Sequence, residues 1–150
     1  MIRRSIGALL AATLLFALVV GQVAAARPVF AFSTVLTGEA EAPGPGDADA
    51  IGHATVLIWP DTDTICWVVN WTKVDGTVFM AHIHGPAPVG VPAGIKVVLF
   101  MDQSFAGTGV NRGCTESAEA DLIVANPQLY YVNVHSLPNF GPGAIRGQLS

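Results

Sequence analysis

The chain has 150 residues, is 51% hydrophobic and 12% charged, and carries a formal charge of −4 at neutral pH. So acidic a chain offers no cationic face to a phosphate backbone, which excludes nucleic acid as a partner. Its length allows one ordinary domain with a core of its own.

The opening, MIRRSIGALLAATLLFALVVGQVAAARP, has the parts of a secretory signal: Arg3 and Arg4, an apolar run from Ile6 to Val20, and Ala24-Ala25-Ala26 before a cut. The rival is an uncleaved anchor, since about 18 apolar residues can span a bilayer. The A-x-A pattern favours cleavage before Arg27, and no later segment is apolar enough to cross. The expectation is a leader over 1–26 and a single domain over 27–150, secreted into the extracellular or periplasmic space and free of the membrane after cleavage. Arg3 and Arg4 leave with the leader, so five basic residues stand against eleven acidic ones, a balance of −6. Glu39, Glu41, Asp47, Asp49, Asp61 and Asp63 all precede Ile65 and read as solvated loop charges, with a weak calcium contact as the rival.

From Arg27 onward the signals are almost all β. Runs rich in valine, isoleucine, threonine and aromatics recur between Gly, Pro, Asn and Asp clusters: VFAFSTVLTG, HATVLIWP, TICWVVNW, VFMAHIHG, IKVVLF, LYYVNVH and AIRGQL. Seven such segments predict an all-β antiparallel sandwich, immunoglobulin-like or superoxide-dismutase-like. TESAEADLIVAN departs from the pattern and predicts one short helix, capped by Thr115 or Ser117 and ended by Asn126-Pro127. GPGDADA reads as a polar surface loop.

Within TICWVVNW, alternation puts Ile65, Trp67, Val69 and Trp71 on one face and Cys66, Val68 and Asn70 on the other. Both faces carry apolar groups, which suits a central strand, and the tryptophans read as packing rather than as a sugar-stacking platform. Cys66 and Cys114 are the two cysteines, and an even pair in an oxidising compartment reads as a disulfide. Such a bridge would close a loop worth about 4 kcal/mol in the chain-entropy account. Two free thiols or a redox pair are the rivals, and the lack of a C-x-x-C spacing counts against redox work. The apolar run around Cys66 predicts a buried sulfur. Asn70-Trp71-Thr72 is a glycosylation sequon that matters only in a eukaryotic host.

In AHIHGPAPVG two histidines flank Ile83 before a glycine-proline turn. On a strand His82 and His84 leave the same face. Further on, Tyr131, Asn133 and His135 share a face of LYYVNVH, and Ala144, Arg146 and Gln148 share one of AIRGQL. SLPNFGPG between them predicts a hairpin, which would gather Asn133, His135, Arg146 and Gln148 into a polar cluster. If the HIHG strand lies beside that hairpin, His82 and His84 join it.

Two uses of this cluster compete. Imidazole suits copper or zinc, with His82, His84 and His135 (or His53) as ligands. Against it stands Arg146, whose permanent charge raises the cost of a nearby cation. The structural use pairs histidine nitrogens with carbonyls or Asn133, the arginine with carbonyls or a carboxylate, and lets the glutamine bridge. On that reading there is no cofactor.

The strings LTGEAEAPG, GHATV, AHIHGPAPVGVPAG and YYVNVHSLPNFGPGAIRGQL, in this order, resemble the CHRD domain, the module repeated in chordin, over about Ser33 to Ser150. The resemblance implies a secreted β-sandwich acting as a non-catalytic binding or structural module towards an extracellular protein or matrix ligand. The HxH strand also resembles, locally, the copper strand of copper/zinc superoxide dismutase. That likeness reaches only His82 and His84, since with His53 and His135 as the other histidines a two-metal site cannot be assembled.

Other chemistry fits poorly. Ser136, His135 and Asp102 suggest a triad, but adjacent strand residues face opposite ways and no G-x-S-x-G turn is present. GPAPVGVPAG lacks the lysine and following helix of a phosphate loop.

Overall fold

A computed structural model describes residues 27–150; the expected leader over 1–26 lies outside the described residues. Eight strands form the domain: β1 (Phe30–Thr37), β2 (Ile51–Trp59), β3 (Thr64–Thr72), β4 (Thr77–His84), β5 (Ile95–Phe100), β6 (Gly109–Glu116), β7 (Tyr131–Leu137) and β8 (Phe140–Gln148). One α-helix, α1 (Ala120–Ala125), lies between β6 and β7 and is followed by a 3-10 turn at Pro127–Leu129. The strands are antiparallel and make one sheet in the order β5-β4-β7-β8-β1-β2-β3-β6.

The sheet bends where β8 meets β1. There a single registered pair, Thr37 with Arg146, joins the two halves, helped by the Ser33 N–H donating to the Ser150 carbonyl. Folded there, the sheet closes over one apolar core. Val78, Ile83, Val97, Leu99, Val132, Val134 and Ile145 come from one half, and Leu36, Val56, Ile58, Ile65, Trp67, Val69 and Trp71 from the other. Trp71 of β3 meets Phe100 of β5 with ring centroids 5.8 Å apart, so the two halves are bridged by packing between strands that are not paired. Each aromatic buried here removes a large apolar area from water, the dominant favourable term in folding. Trp67 and Trp71 are core residues whose indole nitrogens donate to Asn111 Oδ1 and to the Ala106 carbonyl.

All seven expected strands are present, and β6 adds an eighth. The helix begins later than its composition suggested. Thr115 is in β6, and Ser117 Oγ accepts from the Glu119 N–H just before the helix, so the sequence turns only after the strand has ended. Cys66 and Cys114 are directly opposed on β3 and β6 and are joined as a disulfide, with Cα atoms 4.0 Å apart. The sulfur of Cys66 is not in the core, as its apolar neighbours suggested. Strand alternation turns it away from the Trp67 face, leaving Cys66 half-buried and Cys114 exposed.

Two of the acids expected to be solvated are also structural. Asp47 is buried and accepts the Asp75 N–H at 2.7 Å. Glu41 is half-buried and accepts from Asn133.

Candidate metal centre

The register of β4, β7 and β8 decides where the polar residues go. His82 lies opposite Asn133 and His84 opposite Tyr131, while on the other side of β7 Asn133 faces Arg146 and Tyr131 faces Gln148. Directly opposed residues share a face. Ile83, Val132, Val134 and Ile145 therefore enter the core, and His82, His84, Tyr131, Asn133, His135, Arg146 and Gln148 stand together on the reverse of the sheet.

That reverse face is covered. The segment 85–94 crosses it, held by Arg146 Nη2 donating to the Val91 carbonyl at 3.0 Å and Gln148 Nε2 donating to the Ala87 carbonyl at 2.9 Å. The Ala93 N–H also donates to the Tyr131 hydroxyl at 3.0 Å. From the other side Glu41 reaches in, its carboxylate oxygens accepting from Asn133 Nδ2 at 2.7 and 2.9 Å. Gly143 permits this approach: at φ of +157° it has no side chain, and a Cβ there would collide with Glu41 and Asn133. His82, Asn133, His135 and Arg146 are thereby all at most 4% exposed.

One nitrogen of each histidine of the cluster offers itself as a ligand, and the three, from His82, His84 and His135, lie within 4.8 Å of one another. The hydrogen bonds fix the tautomers. His135 Nδ1 faces the Gly141 carbonyl at 3.0 Å and must donate, so its Nε2 bears a lone pair. His84 Nδ1 donates likewise to the Ala93 carbonyl at 3.0 Å, which leaves its Nε2 bare. Backbone carbonyls orienting one ring nitrogen while the other points inward is the outer-shell pattern of metal-bound histidine. The structural pairing with carbonyls and the availability of ligand nitrogens thus coexist here.

Buried atoms without a partner concentrate at the same place: His82 Nε2, His84 Nε2, Asn133 Oδ1 and Arg146 Nη1. Such groups are rare in folded proteins and ask for an explanation. The electrostatics keep the ligand set neutral. Burial pushes His82 down to about 4, with His135 and His84 adding to it, and pushes His135 down to about 4. Burial lowers His84 too, and the Arg146 charge acts in the same direction. Burial also raises Glu41 to about 7 despite its bond to Asn133 and the nearby Arg146.

Of the expected site residues, His82, His84 and His135 converge. Asn133, Arg146 and Gln148 surround them, although Asn133 is bonded to Glu41 and not to an imidazole. His53 does not take part: it is exposed on β2, between Val35 and Asn70 on the outward face of the other half. Glu41, expected only as a solvated loop charge, and Tyr131, which alternation puts on the face of Asn133 and His135 without assigning it a role, belong to the surroundings. Tyr131 stacks on His84 with centroids 5.0 Å apart and carries the Arg146 guanidinium 3.4 Å from its ring centroid. Its place opposite His84 is a matter of register, which no single strand reveals.

Compared with known families, residues 32–149 match the CHRD domain. No curated protein and no solved structure matches the chain. CHRD domains are in general non-catalytic modules of extracellular type, and the Cys66–Cys114 disulfide fits an oxidising compartment. Among the described residues no helix is long and apolar enough to cross a membrane. The match spans nearly the whole described chain, and the chain belongs to the CHRD domain family.

Proposed function

We propose that this is a secreted, non-catalytic CHRD module whose ligand is a transition metal ion, copper or zinc, held by His82, His84 and His135. The observation that carries the reading is the convergence of three buried ring nitrogens within 4.8 Å of one another. Neutral imidazole is the form that ligates, and burial keeps these rings neutral well below physiological pH. Three ligands from two adjacent strands, each oriented by packing or a carbonyl, make a rigid site. A binding role suits its enclosure: catalysis by zinc needs an open position that substrate can reach, whereas segment 85–94 and Glu41 cover this face.

The test is the metal content of the untagged mature domain, purified from its own export compartment and measured by elemental mass spectrometry. The expected result is near one equivalent of copper or zinc, absent from a folded His82→Ala/His84→Ala variant. A wild-type domain that remains metal-free after incubation with both ions would reduce the cluster to a fold-specifying network.

A further inference from the structure

Resting on the three-histidine reading, the geometry points to monovalent copper as the metal, with the thioether of Met80 as its fourth donor. Met80 is directly opposite His135, in unbroken register with the pairs that place His82 and His84. Counting back along β4 from His84 through His82, alternation brings Met80 to the same face, while Ala81 and Ile83 point into the core at 0% exposure. Opposed side chains on one face have Cβ atoms about 5 Å apart, a gap that a flexible methionine side chain spans. Met80 stands half-buried at the end of the row His84, His82, Met80, next to Phe79, whose ring meets that of His135 with centroids 6.4 Å apart.

Charge argues in the same direction. The ligand cluster contains no acid, and the carboxylate packed against this face, Glu41, is engaged by Asn133. Arg146, 2% exposed, lies 3.4 Å from the centre of the Tyr131 ring, which itself stacks on His84. A divalent ion among three neutral imidazoles would bring two uncompensated charges to a buried site that already holds a guanidinium. The desolvation cost grows steeply with ionic charge, so a monovalent ion is favoured. Of the two metals proposed, copper in its cuprous state takes a thioether readily, whereas zinc prefers nitrogen, thiolate and carboxylate.

The experiment titrates the mature domain anaerobically with Cu(I) against bicinchoninate and, separately, with Zn(II) against a chromophoric chelator, comparing wild type with Met80→Leu and His82→Ala. Leucine preserves volume and apolarity, so the fold is expected to survive. Met80→Leu should weaken Cu(I) by about tenfold or more, equivalent to about 1.4 kcal/mol, and leave Zn(II) unchanged. X-ray absorption at the copper edge should show a sulfur scatterer in wild type that is absent from Met80→Leu. Unchanged Cu(I) affinity, or an equal loss for both metals, overturns the Met80 assignment and leaves the histidine site standing. If neither metal binds wild type, or binding is indifferent to His82→Ala, the three-histidine reading itself falls and this inference with it.

Discussion

His82 Nδ1 lies 3.2 Å from Nε2 of His135, across two neighbouring strands and within a face that is closed to solvent. Because His135 Nδ1 donates to Gly141, the proton between the two rings belongs to His82, whose own Nε2 is then left without a donor. The pair is therefore coupled in the metal-free protein, and either residue alone is an awkward occupant.

A double-mutant cycle reads this coupling. In metal-free protein, His82→Leu and His135→Leu should each cost about 1–3 kcal/mol, since each leaves the other ring with an unmet buried nitrogen. The double variant should cost less than the sum by about 1 kcal/mol. Denaturant unfolding with unchanged slope measures all four states, and strict additivity would show that the rings do not depend on each other.

The pH dependence follows from the same burial. Folded His82 and His135 titrate near 4 against 6.5 in the unfolded chain. As pH falls from 6.5 towards 4 the unfolded state takes up protons that the folded state refuses, so stability declines. Glu41 acts oppositely: folded it titrates near 7 against 4.5 unfolded, so its contribution is lost as pH rises through that interval. Two histidines outweigh one carboxylate. Metal-free protein should gain roughly 2–4 kcal/mol between pH 4.5 and 6.5, and Glu41→Gln should make that rise steeper. Melting temperatures across the range in chelator check it; parallel profiles for wild type and Glu41→Gln would contradict the role given to Glu41.

Much of the fold is legible along single strands, because hydrophobic alternation and turn residues are local signals. The sharing of a face by His82 and His84, and by Asn133 and His135, follows from alternation alone. What joins the two sets is the pairing of β4 with β7, whose connection runs through β5, β6 and α1. Glu41 was hidden for the same reason, being 92 residues from the Asn133 it binds. Strand β6 was missed for a different one: GVNRGCTE has two glycines and few β-formers. Gly113 is opposite Trp67 and Gly109 opposite Trp71, and a Cβ on either would come within 2.6 and 2.9 Å of the indole rings. The glycines weaken the strand signal because the tryptophans occupy their side-chain space.

That explanation is testable by a substitution that improves β-propensity. Gly113→Val supplies a favoured strand residue yet must displace the Trp67 ring, so it should destabilise the domain by about 1–3 kcal/mol. Unfolding followed by tryptophan fluorescence reports both the loss and the movement of the ring. A neutral or stabilising result would mean that β6 is poorly formed for reasons of propensity alone.

The disulfide lies on the outward face of the half that does not carry the cluster. Replacing Cys66 and Cys114 together by alanine should cost about 2–4 kcal/mol and leave metal stoichiometry unchanged at temperatures where the variant is folded. Parallel calorimetry and elemental analysis separate the two effects, and loss of metal from a folded variant would tie the two halves together more tightly than their single registered pair at β8 and β1 implies.

Arg146 supports the cover of the site more than the sheet beneath it. Its Nη2 holds the Val91 carbonyl, its guanidinium lies over Tyr131, and its Nη1 is buried without a partner. Methionine in its place would keep the long apolar stem and the β8 pairing but release Val91. Amide exchange at Val91 and Ala93 should then quicken by about tenfold, a local opening cheaper by about 1.4 kcal/mol, while the amides of β7 and β8 exchange as before. Val91 is 44% exposed, and the segment's other ties, to Leu129, Tyr131, His84 and Gln148, lie outside the backbone ladder of β7 and β8, so the loss should stay confined to 85–94. Faster exchange throughout β4, β7 and β8 would instead make Arg146 a support of the sheet, and the unpaired Nη1 would then be a cost the fold accepts for its own sake.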